Sequence, residues 1–200
     1  MNEYRATYET LAARNMGYIR EKKVQRLYHH DEDVPDGVWH ILTALYTYPQ
    51  AAELLGSLGY QSFDTCLDIG CGTVRFADFF PVNRNYLFDI AFLYCKYMQA
   101  VNADIESMPI PDAAADLVVC SDILEHVLHF DVALQEIRRI LKRGGILLAS
   151  VPHDAPVNEM HLRTFHKDSL DFPGFDILGT RITKQYKAWL QDLVIVLRRR

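Results

Sequence analysis

The stretch from Thr65 to Phe80, TCLDIGCGTVRFADFF, decides how the rest of the chain is read. A short apolar run ends in an acid, Gly70-Cys71-Gly72 follows, and then a polar-apolar pattern of helical period begins. That order predicts a strand, a tight loop and a helix over about residues 74–80. A side chain at either glycine would block a positive φ or keep a ligand away from the backbone. The loop amides and the helix N-terminus are then expected to face an anionic or polar ligand group. A dinucleotide-binding turn needs a further small residue three positions after Gly72, and Arg75 stands there. Nicotinamide or flavin binding is therefore disfavoured.

The 200 residues suffice for one core of ordinary size, with little left for a second domain. With 50% hydrophobic and 24% charged residues, the composition is that of a common globular protein. A formal net charge of −5 and a pI near 5.9 give no nucleic-acid footprint, and Arg198-Arg199-Arg200 reads as a solvated end. No apolar run is long enough to span a bilayer, and MNEYRATYET lacks a signal-peptide core. The expectation is a cytoplasmic protein with neither a nucleic-acid nor a membrane partner. Its oligomeric state is left open. Cys66, Cys71, Cys95 and Cys120 contain no C-x-x-C pair and are read as packing thiols in a reducing compartment.

Taken in order, residues 3–30 place Tyr4, Tyr8, Leu11, Tyr18, Ile19 and Leu27 at spacings that predict one or two amphipathic helices. Asp31-Glu32-Asp33, Pro35 and Gly37 interrupt them. Two more helices are expected over 37–47 and 50–58, separated at Pro49 and stopped by Gly59. Residues 1–60 thus read as a helical cap, too small to be independent, packed over the ligand end of a sheet. Residues 61–200 form the main domain. There, strands are expected near 65–69, 85–89, 98–103, 115–121 and 145–151, with helices near 91–96, 122–128 and 130–142. The runs Leu117-Val118-Val119-Cys120 and Ile146-Leu147-Leu148-Ala149 fit strands covered on both faces. The fold class is α/β, a Rossmann-like doubly wound sheet, mostly parallel. Phe175–Tyr186 and Asp192–Arg199 have no crossover helix between them and are expected to pair antiparallel at the C-terminus.

In open α/β sheets the ligand lies outside the carboxyl ends of the strands. Asp68, Asp89, Asp104 and Asp122 each follow a predicted strand. One such acid alone is an ordinary cap or turn residue; four in chain order are not readily explained by capping. The spelling LDIGCGT, the segment ADIESMPIPD (103–112), the run ADLVVCSDILEHV (115–127) and LKRGG (141–145) together resemble the class I S-adenosylmethionine-dependent methyltransferases of the small-molecule "type 11" kind. The resemblance covers about residues 63–200. It implies that Asp68, Gly70, Cys71 and Gly72 form the cofactor loop and that Asp89, with Ile90, holds the ribose hydroxyls. It also implies that Asp104 and Ile105 take the adenine, and that Ser121 and Asp122 line the reaction centre. The cofactor would be S-adenosylmethionine, leaving S-adenosylhomocysteine. Val74 departs from the family's third glycine, and the 15-residue step from Asp89 to Asp104 is a short crossover.

The acceptor is expected to be a small metabolite, methylated on O, N or C. Ser121-Asp122-Ile123-Leu124 replaces the D/N-P-P-Y/F loop of the enzymes that methylate DNA bases. A protein or RNA acceptor, or a degenerate partner subunit that only binds the cofactor, are the alternatives. A base is needed only for a protonated acceptor. His153 and His126 are the candidates, against a bland reading as loop histidines. No metal is expected. The alternative is a divalent-ion site from Asp122, Glu125, His126 and His153, since Asp122-x-x-Glu125-His126 looks like the E-x-x-E-H element of some ubiquinone-pathway and small-RNA methyltransferases.

Overall fold

The computed structural model describes residues 39–158, 160–183 and 191–200. The helices expected over 3–30 lie outside the described residues, as do the breaker residues 31–37. The elements are α1 (Trp39–Ser57), β1 (Phe63–Ile69), a 3-10 turn (Phe76–Asp78), β2 (Val82–Asp89), α2 (Phe92–Met98) and β3 (Val101–Asn102). Then come β4 (Ala115–Ser121), α3 (Phe130–Ile140), β5 (Leu141–Pro152), a second 3-10 turn (Lys167–Ser169), β6 (Phe175–Ile182) and β7 (Asp192–Arg199).

The seven strands form one sheet in the order β3-β2-β1-β4-β5-β7-β6. The pairings from β3 through β5 are parallel, and β7 runs antiparallel to both β5 and β6. The strand order therefore reverses between β1 and β4, the kind of switch point at which open α/β sheets bind ligands.

Strand side chains alternate between two apolar layers. One layer collects Leu67, Val118, Cys120, Leu147, Ala149 and Leu193 with Leu134 and Ile137 of α3. The other collects Cys66, Leu117, Val119, Ile146, Leu148 and Val194 with Tyr48, Ala51 and Leu55 of α1. All four cysteines are buried free thiols. Among the described residues no helix is long and apolar enough to cross a membrane.

Several local expectations change. Instead of two helices parted at Pro49, α1 is one helix with Pro49 inside it. Proline removes the N–H that would reach the Leu45 carbonyl, but buried Tyr48, Ala51, Leu54 and Leu55 hold the helix on the sheet. It does stop at Gly59 (φ 93°). There the Tyr60 N–H reaches Leu55 O and the Gly59 N–H reaches Gly56 O, the pattern of a Schellman cap.

The helix expected over 74–80 is a single 3-10 turn, Phe76–Asp78, and Pro81 removes a donor just before β2. The segment 122–128 is a run of turns. Leu124, Glu125, His126 and Val127 are all buried, and four consecutive buried residues do not share one helix face. Helix α2 runs on to Met98 and ends at Gln99 in the left-handed region, so of the strand expected over 98–103 only Val101–Asn102 remains. The 141–145 turn is absorbed into an irregular start of β5, and α3 ends at Ile140.

Of the expected cap, the described part is α1. It lies along one sheet face and reaches the ligand edge through Thr47, whose hydroxyl donates to Asp192 Oδ2 at 2.5 Å in a buried setting. Arg181 of β6 meets Glu53 Oε2 at 2.8 Å and the Gln50 carbonyl at 3.0 Å.

Candidate functional site

The loop after β1 is fixed by the strand beside it. The amides of Gly70 and Cys71 both donate to the Phe88 carbonyl, at 2.8 and 3.0 Å. The Gly72 amide donates to Asp89 Oδ2 at 2.9 Å, and the Ala91 amide donates to Oδ1 at 2.8 Å. Asp89 thus anchors two loops at the carboxyl end of β2.

The two glycines differ. A Cβ on Gly70 would lie 2.1 Å from Ile123 Cδ1, whereas one on Gly72 meets nothing within 4 Å. Gly70 therefore lets the loop after β4 approach, and Gly72 leaves open space in front of the backbone. Both have positive φ. Val74 does not, and its N–H reaches Cys71 O at 3.3 Å, so the departure from the family's third glycine brings no strain.

Asp68 faces inward. It is 1% exposed and its Oδ2 accepts the Phe76 amide at 3.0 Å, which pins the loop's far side. Burial pushes its carboxyl up to about 7, the Phe76 hydrogen bond works against that, and the charges of Asp89 and Asp78 add to it. Cys71 is buried under the same loop. Tyr48 of α1 reaches this region edge-on to Phe76, ring centroids 5.4 Å apart. Burial and the Asp68 charge raise its phenol, against a hydrogen bond with Ser121.

Along the edge, Asp104 is exposed and accepts the Glu106 amide at 3.0 Å, while Ile105 beside it is buried. Ile90 is half-buried. Ser121 Oγ and Ser150 Oγ lie 2.7 Å apart, bridging β4 and β5. Asp122 takes φ 53°, a conformation that Asp tolerates better than most side chains. Its Oδ1 is buried without a hydrogen-bond partner. Burial, then Asp192 and Glu125, raise its carboxyl, and a Ser150 hydrogen bond opposes them.

The two histidines proposed as bases sit differently. His153 follows β5, its side chain is 15% exposed, and its Nδ1 lies 3.3 Å from Asp154 Oδ2. His126 is buried, with Nδ1 2.7 Å from the Met160 carbonyl. Among the described residues, the group able to hold a metal is Glu125, His126 and His161. His153 and Asp122 of the alternative set are not in it. The metal set drawn from spacing left out His161, which arrives from a loop more than thirty residues away, and sequence reasoning passed over Asp192, which opens β7 ahead of the apolar run Leu193 to Leu197.

Residues 67–149 match the family model described as a methyltransferase domain. A probable S-adenosylmethionine-dependent methyltransferase of Mycobacterium tuberculosis is 29% identical over 121 residues, 52% of this chain and 44% of that one. A ubiquinone/menaquinone biosynthesis C-methyltransferase of Pseudomonas putida is 28% identical over 195 residues, covering 85% and 72%. The chain spans about half the length of the curated relatives first matched. Among solved structures, the Burkholderia thailandensis 1,6-didemethyltoxoflavin-N1-methyltransferase, bound to its substrate and S-adenosylhomocysteine, superposes with a TM-score of 0.64 at 18% identity, over 94% of this chain and 88% of that one. That likeness establishes the fold.

Proposed function

We propose that this chain, which belongs to the class I S-adenosylmethionine-dependent methyltransferases, transfers the cofactor's methyl group to an O, N or C atom of a small metabolite. The observation that carries the reading is the Gly70-Cys71-Gly72 loop fastened to Asp89, with open space before Gly72 at the strand-order reversal. The residues present fit the cofactor. Asp89 ends β2 beside the loop, a place from which a carboxylate accepts ribose hydroxyls, and a Cβ at Gly72 would occupy the open space in front of the loop.

Asp89 with Ile90 takes the ribose, and Asp104 with Ile105 the adenine. Ser121 and Asp122 line the acceptor side. The cofactor, when bound, supplies a sulfonium methyl that is already electrophilic. The chain's task is to hold the acceptor in line and exclude water, a contribution of about 7 to 11 kcal/mol in well-oriented systems. If the acceptor enters protonated, His153 is the better-placed base, because it is partly accessible while His126 is buried with one ring nitrogen on Met160 O. Asp154 beside His153 would stabilise the imidazolium that forms.

A small acceptor is supported by the formal net charge of −5 and by relatives whose names specify small molecules. The second reading, a protein or RNA acceptor or a non-catalytic partner subunit, draws on the short β2-to-β3 crossover. Calorimetric titration with S-adenosylhomocysteine tests the reading. Saturable one-to-one binding is expected, and no heat of binding refutes it. Binding without turnover across a metabolite panel would favour the partner subunit.

A further inference from the structure

Glu125 is 1% exposed, yet both of its carboxylate oxygens are buried without a hydrogen-bond partner. An unsatisfied buried polar group costs about 1 to 3 kcal/mol, and more when charged. Native structures rarely leave one unless another group completes it.

What faces Glu125 is two imidazoles. His126 Nε2 lies 3.5 Å from Glu125 Oε1, too long for a hydrogen bond. The other ring nitrogen, Nδ1, is 2.7 Å from the Met160 carbonyl. A carbonyl only accepts, so Nδ1 carries the proton, and in the neutral ring Nε2 turns a lone pair toward a carboxylate oxygen. Two lone pairs facing each other call for a positive charge between them, a proton or a metal ion. His161 closes the third side, its ring centroid 5.1 Å from that of His126, and its own Nδ1 is buried without a partner. The ligand atoms of all three lie within 4.8 Å of one another.

The surroundings hold this geometry. The Asn158 side chain accepts the amides of Met160 and His161 at 2.7 and 2.9 Å. The Leu162 amide donates to the Glu125 carbonyl at 2.8 Å, and Arg163 Nη1 donates to the Leu124 carbonyl at 2.5 Å. The loop carrying His161 is therefore stitched to the turn carrying Glu125 and His126. A backbone carbonyl on the far nitrogen of a ligating histidine is the usual way proteins fix its tautomer and direction.

We propose that Glu125, His126 and His161 bind one divalent transition-metal ion. Two imidazoles and one carboxylate suit zinc or a neighbouring first-row ion better than magnesium or calcium, which prefer all-oxygen sites. At metal-donor distances of about 2.1 Å, the edge of a tetrahedron is about 3.4 Å, close to the 3.5 Å between His126 Nε2 and Glu125 Oε1. Small side-chain rotations bring in His161. Three protein donors leave a further coordination position open. The ion would tie the segment 160–163 to the turn after β4, next to Asp122. It also replaces the set drawn from spacing alone, with His161 in the place of His153.

The test is isothermal titration of the full chain with zinc chloride after dialysis against a chelator, with manganese chloride in parallel. One equivalent of zinc should bind and raise the melting temperature. His161→Ala, on a half-buried loop, should weaken zinc binding more than about tenfold and remove the thermal shift. Glu125→Gln should do the same, and His153→Ala should keep wild-type zinc affinity. No saturable zinc or manganese binding by the wild type overturns the proposal, as does wild-type affinity in His161→Ala. Zinc affinity is read without S-adenosylhomocysteine, so failure here leaves the methyl-transfer reading untouched.

Discussion

The Gly72 amide donates to Oδ2 of Asp89 at 2.9 Å, so the glycine loop after β1 and the carboxylate ending β2 are one unit. Asp89 also accepts the Ala91 amide and is 6% exposed. It therefore shapes the fold, in addition to the cofactor contact proposed for it. Asp89→Ala is expected to destabilise the ligand-free protein by about 1 to 3 kcal/mol, because two backbone donors lose a charged acceptor. It should also weaken S-adenosylhomocysteine binding by about 2 to 4 kcal/mol. Asp89→Asn should fall between, since an amide keeps one acceptor oxygen but turns an NH2 toward a backbone N–H. Urea titration and calorimetry on the three proteins read the two effects separately. An Asp89→Ala protein as stable as the wild type would show that these hydrogen bonds do not hold the loop.

The two glycines of the loop should respond oppositely to alanine. At Gly70 (φ 72°) the new methyl would lie 2.1 Å from Ile123 Cδ1, so the loss is chiefly of stability, about 1 to 3 kcal/mol from overpacking with added backbone strain. Ile123→Ala in the same chain should recover part of it. At Gly72 (φ 51°) the methyl meets nothing within 4 Å among the described residues; strain costs roughly 1 kcal/mol, and the larger loss should be in S-adenosylhomocysteine affinity. Equal affinity in Gly72→Ala and wild type would mean that the ligand does not approach this backbone.

The Thr47–Asp192 bond joins α1 to the start of β7 across a buried interface. Thr47→Val keeps the shape and removes the donor, so it is expected to cost about 1 to 3 kcal/mol, because the Asp192 oxygen is left without that partner. Serine, which restores a hydroxyl, should recover most of it. Denaturant unfolding decides this, and a Thr47→Val variant as stable as the wild type would reduce the bond to a passive contact.

The sheet was readable because β4 and β5 are apolar runs with no competing helical period, and because the glycine loop marks the first crossover. The family spelling singled out the glycine loop and the strand-end acids as candidates. The turns were harder. Ile123 to Val127 carries enough apolar residues to suggest a helix, but Asp122 enters it at positive φ and Leu124 through Val127 are buried together. Local propensity does not register that tertiary demand. Pro49 was read as a break for the converse reason: packing of α1 on the sheet outweighs the missing N–H. His161 was legible only as a loop histidine, because its proximity to Glu125 depends on Asn158 and on the stitched backbone of 160–163. Asp192 gave no signal beyond being an acid at the head of an apolar strand.

Asp68 makes a pH-dependent prediction whose sign follows from its burial. Its carboxyl is raised from the usual 3.8 to about 7 in the folded protein, so the folded state keeps its proton where the unfolded chain has lost it. Between about pH 4 and pH 7 the folded state therefore binds more protons, and this group's contribution to stability declines as pH rises through that window. Below it both states are protonated, and above it both are ionised, so the contribution levels off at each end. A shift of about three units corresponds to roughly 4 kcal/mol at most, and relaxation around the loop should reduce it. Asp68→Asn keeps an oxygen for the Phe76 amide and cannot ionise. The variant should gain stability relative to wild type as pH rises from about 4 to 7, with the difference flattening beyond. Urea unfolding of both proteins at several pH values measures that difference directly, and because the other titrating groups are shared they cancel in the comparison. A pH-independent difference would mean that Asp68 ionises in the folded protein as it does in the unfolded chain, and that its burial is relieved by a donor beyond the Phe76 amide.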